Sequence, residues 1–243
     1  MSFEGKSLRF QFRPRWFTTL VTALLIAVMI KLGFWQYNKA EQKQSLQATY
    51  DARAHQPAIP VPQSITNLED WRYRRLQSDG KYLTDYQILL DNQIEDEQAG
   101  YHVITPFKTE AGATVLVDRG WIPVGNRNQL PTVVTPSTTT RVSGFSWIPS
   151  PKFFELAAPE EGQSWQPVWQ NMDMVRYAKR VPFKVLPFVI RLDANSSADG
   201  FVRNWVMPAE RIEMHIGYAY QWWGFSVALF ATWIVVNLRR KPQ

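Results

Sequence analysis

The chain has 243 residues, 45% of them hydrophobic, with 27 Lys+Arg against 21 Asp+Glu and no cysteine. The length allows one ordinary domain with additions, or two small ones, and the missing cysteine excludes disulfides, thiolate zinc sites, iron–sulfur clusters, a cysteine nucleophile and covalent haem attachment through Cys-x-x-Cys-His. The net charge of +6 sits at the ends: Lys6, Arg9, Arg13 and Arg15 outweigh Glu4, and Arg239, Arg240 and Lys241 close the chain, so the balanced middle offers no basic face to a nucleic acid.

In chain order, residues 1–15 form a basic N-terminus, expected in the cytoplasm. Residues 16–34 (WFTTLVTALLIAVMIKLGF) carry one charge, Lys31, and reach about 28 Å as a helix, the thickness of a bilayer core. Bulky Lys31, Leu32, Phe34 and Trp35 follow where a signal peptide would have a small-x-small cleavage site, so the segment reads as a retained transmembrane anchor. Residues 35–215 form the extracytoplasmic domain. It begins with a helical extension to about Arg53, rich in helix formers and without Gly or Pro. A Pro-rich break at 55–62 ends that helix.

Short aromatic and β-branched segments come next: 73–82, 86–90, 101–107, 114–118 and 141–147, then 187–193 and 200–206, separated by Gly, Asp, Asn and Pro. Val115-Leu116-Val117 reads as a buried strand, 130–140 as an exposed loop, and 173–180 as a short helix capped by Asp173, with Pro208 placed to start another helix. The second apolar run, 216–238, is uncharged and has Tyr218, Tyr220, Trp222 and Trp223 as an interfacial belt. A basic tail, 239–243, completes the chain. Basic residues at both outer ends put both termini in the cytoplasm of a bacterial cell with an inner membrane. The expected fold class is an α+β membrane protein: two antiparallel transmembrane helices flanking one mainly antiparallel, barrel- or sandwich-like β domain with short helices. The lipid bilayer is its expected environment.

No G-x-G-x-x-G, Walker A, H-E-x-x-H or G-x-S-x-G motif occurs, and no nucleophile–base or two-carboxylate set stands out, so an enzyme is not expected. Asp118-Arg119 with Glu110 reads as a solvated strand end with a salt bridge. Met172 and Met174 form a faint Cu(I)-type pair that core packing explains better; a copper donor using them or His102 is a further alternative. His215 differs. It opens the second span, and on a helix Tyr218, Ala219, Trp222 and Trp223 share its face, while Gly217 and Gly224 leave a notch for a backbone or flat ligand. An imidazole between aromatic walls offers an axial bond to a lipophilic haem, though the chemistry alone favours a cap or an interfacial anchor.

Several strings resemble one family. Residues 32–36 (LGFWQ), 73–76 (YRRL) followed by Gly80-Lys81-Tyr82, 100–107 (GYHVITPF), 115–123 (VLVDRGWIP) and 214–223 (MHIGYAYQWW) are similar, in order, to motifs of the surfeit locus protein 1 (Shy1-like) family of cytochrome c oxidase assembly factors. The resemblance implies a non-enzymatic assembly factor that binds haem a noncovalently and transiently and aids its insertion into the largest oxidase subunit. His215 then matches the family's axial iron ligand. Tyr218, Trp222 and Trp35 would line the haem pocket, Trp35 being brought near by antiparallel pairing of the spans. Other assembly factors and haem a synthase are the further partners implied. A membrane scaffold that stabilises assembly intermediates without haem is the alternative. Arg119 would face a haem propionate or stabilise a strand turn, the structural role being favoured. Three positions depart from the pattern: Lys39 and Gln93 replace Arg, and Met214 replaces an Asn able to hydrogen-bond the imidazole.

Overall fold

The computed structural model describes residues 10–125, 129–150, 165–196, 201–205 and 210–240. The expectations placed on residues 1–9, on Gly200 and Val206, on Pro208 and on Lys241 lie outside the described residues. The chain divides into two units, residues 1–47 with 207–243, and residues 48–206.

The first unit is a helix pair. Helix α1 spans Trp16–Ala54 and α3 spans Ile212–Asn237, α2 lying in the second unit. Both contain a stretch long and apolar enough to cross a membrane, and only 6% and 11% of those stretches are buried. The central helices of a soluble protein would be mostly buried, and these instead present Phe17, Leu20, Leu24, Val227 and Val235 outward. The shielded residues of α1 include Thr19, Thr22, Ile26, Met29, Gly33, Gln36, Ala40 and Lys43; those of α3 include Ile212, His215, Ala219, Trp222, Ser226, Leu229 and Trp233. Alternating steps of three and four residues make one seam per helix. Contacts along the seams run in opposite directions: Trp233 Nε1 donates to Thr19 Oγ1 (3.2 Å), Trp223 packs on Phe34 (5.4 Å between rings), and Lys43 donates to the Glu210 carbonyl (2.7 Å).

Gly33 explains the close approach. A Cβ placed there would lie 2.2 Å from Trp223 Nε1, so only glycine admits the indole. Gly217 and Gly224 have nothing within 4 Å, so the expected notch is open and is not where the helices meet. Beyond the helices, β1 (Phe10–Phe12) pairs antiparallel with β10 (Leu238–Arg240), the last strand of the chain. Such short segments give no period, and their pairing is non-local, so the sequence does not announce it.

The second unit is a β barrel. Its strands are β2 (Ile59–Pro60), β3 (Arg75–Tyr82), β4 (Ile88–Glu95), β5 (Gln98–Thr109), β6 (Thr114–Pro123), β7 (Thr140–Trp147), β8 (Val168–Trp169) and β9 (Val189–Leu192). β3 pairs with β7, β7 with β9, β9 with β6, β6 with β5, and β5 returns to β3, which closes a ring of five strands. β2, β4 and β8 extend it. The pairs β6–β9, β2–β3 and β4–β8 are parallel and the others antiparallel.

Alternation along the strands sorts two cores. Val115, Val117, Phe107, Phe188 and Ile190 face one, while Leu116, Ile104, Ile88 and Val189 face the other. β6 is therefore buried on both faces, as its apolar run predicts. The second core is closed by α2 (Met174–Arg180), whose Asp173 caps the N–H groups of Val175 and Arg176 as expected. Tyr177 is fully buried and donates to the Tyr86 carbonyl (2.8 Å), and burial pushes its phenol up. The final turns of α1 belong to this unit. There Tyr50 packs on Tyr73 (5.5 Å), and Arg53 donates to the carbonyls of Glu69, Asp70 and Arg72.

Strand limits differ from expectation for local reasons. Tyr73 is left-handed (φ 59°), so β3 starts at Arg75, and Tyr86 ends a 3₁₀ turn, so β4 starts at Ile88. β4 then continues past a bulge at Asn92 to a two-residue hairpin, Asp96-Glu97, both with positive φ. Of the 200–206 segment, Val202 forms an isolated bridge with Trp121.

Candidate functional site

His215 lies in the first turn of α3, on the seam, and is partly shielded. Its Nδ1 donates to Gln36 Oε1 of α1 at 2.7 Å. That bond fixes the tautomer and leaves Nε2 with the lone pair, the arrangement that orients a metal-binding imidazole. Gln36 ends the 32–36 string and His215 is the second residue of the 214–223 string, so two motifs far apart in sequence meet in one hydrogen bond. Met214, in place of Asn, is 43% exposed, and the orienting bond comes from the other helix instead. Gln36 was legible only as part of its motif; nothing in spacing or composition marked it as a partner of the histidine.

The four expected site residues are placed unequally. Trp222 shares the seam with His215, one heptad on, and packs edge-to-face on Phe225 (6.2 Å). Tyr218 and Trp35 are 44% and 53% exposed and lie off the seam. The indole that packs between the helices is Trp223, which contacts Phe34, Tyr37 and Tyr220. A flat lipophilic ligand on His215 would thus have Trp222 on the seam side and an outward face toward lipid.

The Asp118-Arg119 pair is not a solvated strand end. Asp118 is 1% exposed and Arg119 fully buried. Because both faces of β6 are covered, neighbours on the strand enter different cores. Arg119 lies between the rings of Tyr82 (5.0 Å) and Phe201 (5.1 Å) and donates to Thr135 Oγ1 and the Val134 carbonyl, both at 2.6 Å. It thereby pins the otherwise irregular 129–139 segment to the barrel, the structural role favoured from the sequence. Gly120 follows at φ +126°, where a Cβ would lie 2.7 Å from the Val202 carbonyl oxygen, so the Arg-Gly-Trp string needs its glycine.

On the opposite side, His102 Nδ1 is 3.0 Å from both Asp118 oxygens. Arg191 Nε lies 3.7 Å from the same carboxylate. Burial pulls the Arg191 guanidinium below its ordinary value, with Asp118 acting the other way. Met172 packs in the second core and Met174 against its edge, which is the packing role. Among the described residues no group of three His, Cys, Asp or Glu gathers to hold a metal ion. Gln93 stays near this cluster, its carbonyl accepting from Trp121 Nε1 (3.2 Å), and Lys39 is exposed.

The SURF1 family model matches residues 23–227. A SURF1-like protein of Rickettsia felis is 25% identical over 230 residues, covering 90% of this chain and 96% of the relative. One from Rickettsia bellii is 25% identical over 224 residues, covering 87% of each. The cytochrome oxidase assembly protein SHY1 of Saccharomyces cerevisiae is 32% identical over 109 residues, covering 42% of this chain and 28% of its own. The match takes in most of both apolar helices and the whole barrel between them, including Gln36, His215 and the Asp118-Arg119-Gly120 string, and on that extent this chain belongs to the SURF1 family.

Proposed function

We propose that this protein is an inner-membrane assembly factor for cytochrome oxidase that holds haem a at His215 and aids its transfer to the largest oxidase subunit. The assembly role rests on the family and on the yeast relative, a cytochrome oxidase assembly protein. The haem role rests on one observation: Gln36 orients the His215 imidazole so that Nε2 is left without a partner among the described residues. A noncovalent haem is required in a chain without cysteine.

The chemistry of transfer suits this arrangement. A bound haem would supply a Lewis-acidic iron able to bind an imidazole nitrogen, and His215 would be the residue that holds it. His215 supplies that nitrogen, Gln36 holds its proton on Nδ1, and Trp222 offers an apolar face. Tyr218 and Trp35 lie outward, at the level where Tyr and Trp favour the membrane–water boundary. A single protein ligand keeps the hold reversible, as a carrier requires. In the proposed topology both termini are cytoplasmic, with residues 35–215 in the periplasm and spans at 16–34 and 216–238.

The test is complementation. In cells lacking this protein, the wild type is expected to restore spectroscopically detected oxidase in membranes. His215→Ala expressed at equal level is expected to leave oxidase low. Full restoration by His215→Ala, with loss instead on changing Gly120-Trp121, would establish the haem-free scaffold in its place.

A further inference from the structure

We propose that the barrel carries a second binding site, at Arg191 and His102, for a small molecule bearing an oxyanion, a carboxylate or a phosphate. A pocket of about 300 Å³ opens beside β4, β6 and β9, lined by Gln93, His102, Trp147, Asn171, Met172 and Arg191 among others. It equals roughly ten waters at about 30 Å³ each and lies at the lower end of ligand-pocket sizes.

The three charged or titratable groups at its wall are arranged in depth. The Asp118 side chain is 1% exposed, whereas those of His102 and Arg191 are 15% and 18% exposed. A ligand therefore meets the imidazole and the guanidinium, with the carboxylate behind them. Asp118 occupies His102 Nδ1, which leaves Nε2 as that ring's remaining polar atom.

Arg191 is the stronger indication. Its guanidinium lies 4.0 Å from the Trp147 ring and 5.1 Å from the Trp205 ring. Its Nε is buried and makes no hydrogen bond among the described residues. A desolvated guanidinium whose fork of N–H donors is so little used is costly, and a planar or tetrahedral oxyanion satisfies it bidentately. The amides of Gln93 and Asn171 add polar contacts, and Met172 and Trp147 an apolar wall. Two strings that carry the family resemblance, at His102 and at Asp118, converge here, far in sequence from His215.

The test uses the full-length protein in detergent micelles, titrated with sodium benzoate, inorganic phosphate and, as an uncharged control, benzamide, followed by calorimetry and ligand-observed NMR. The expected result is saturable binding of benzoate, phosphate or both, and none of benzamide; whichever anion binds identifies the source. His102→Asn keeps a donor toward Asp118 and removes Nε2, and Arg191→Met removes the fork. Either is expected to weaken binding about tenfold or more, with thermal melts confirming that the variant is folded. If Arg191→Met does not fold, His102→Asn alone decides. Absence of saturable anion binding to the folded wild type, or binding unchanged in the folded variants, would overturn the proposal.

Discussion

Gly33 makes the helix pairing testable by a single methyl group. A Cβ at that position would stand 2.2, 2.5 and 2.9 Å from three atoms of the Trp223 ring. Ordinary contact begins at 3.4 Å, so the indole or the helix must move by about 1.2 Å, a displacement that overpacking studies associate with about 1–3 kcal/mol. The Gln36–His215 bond, at 2.7 Å, lies one turn of α1 away and would lengthen with the same shift. Gly224 is the internal control, since nothing lies within 4 Å of it; there alanine should gain about 0.5–1 kcal/mol of helix propensity. The assay is thermal unfolding in micelles, with helix proximity read by a short thiol cross-linker between Gln36→Cys and His215→Cys. The natural absence of cysteine leaves no background. Gly33→Ala should melt below wild type and cross-link less, and Gly224→Ala should do neither. Equal melting of the two variants would refute the account of the seam.

Other expectations follow from single contacts. Gln36→Leu removes the acceptor from His215 Nδ1 and should weaken haem binding roughly 10–100-fold, as loss of an outer-shell partner does, measured by haem titration in micelles. Asp173→Ala deletes the cap of α2 and should cost about 1 kcal/mol in denaturant unfolding. The hydrogen bond from Arg72 holds the Glu69 carboxyl below its usual range; a depressed carboxylate stabilises above its unfolded value and loses that contribution as pH falls through the folded one. Because Glu69 is largely exposed, the effect is well under about 1 kcal/mol, and Glu69→Gln should flatten the acid limb of stability only slightly.

What the sequence disclosed, and what it hid, divides along local against non-local information. The two spans, the extension of α1, the Asp173 cap and the doubly buried β6 were readable because each is written in a contiguous stretch: length, propensity, a capping residue, an apolar run. The β4–β5 hairpin was hidden because its turn is Asp96-Glu97, without the glycine that usually marks a two-residue loop. Asp118 looked solvated because its charge was judged along one strand, whereas its partners His102 and Arg191 arrive from β5 and β9. His215 was singled out by position and neighbours, but Gln36, the side chain that orients it, is 179 residues away and meets it only through antiparallel helix packing. For the same reason the helical phase put Tyr218 and Trp223 alike on the face of His215, and only the packing separates them: Trp223 enters between the helices because α1 presents Gly33.

The most direct test of the central claim is the absorption spectrum of the protein purified from cells that make haem a. The wild type is expected to carry a haem a spectrum that is lost or strongly reduced in folded His215→Ala. A folded wild type that carries no haem, or a His215→Ala spectrum unchanged in position and intensity, would contradict it.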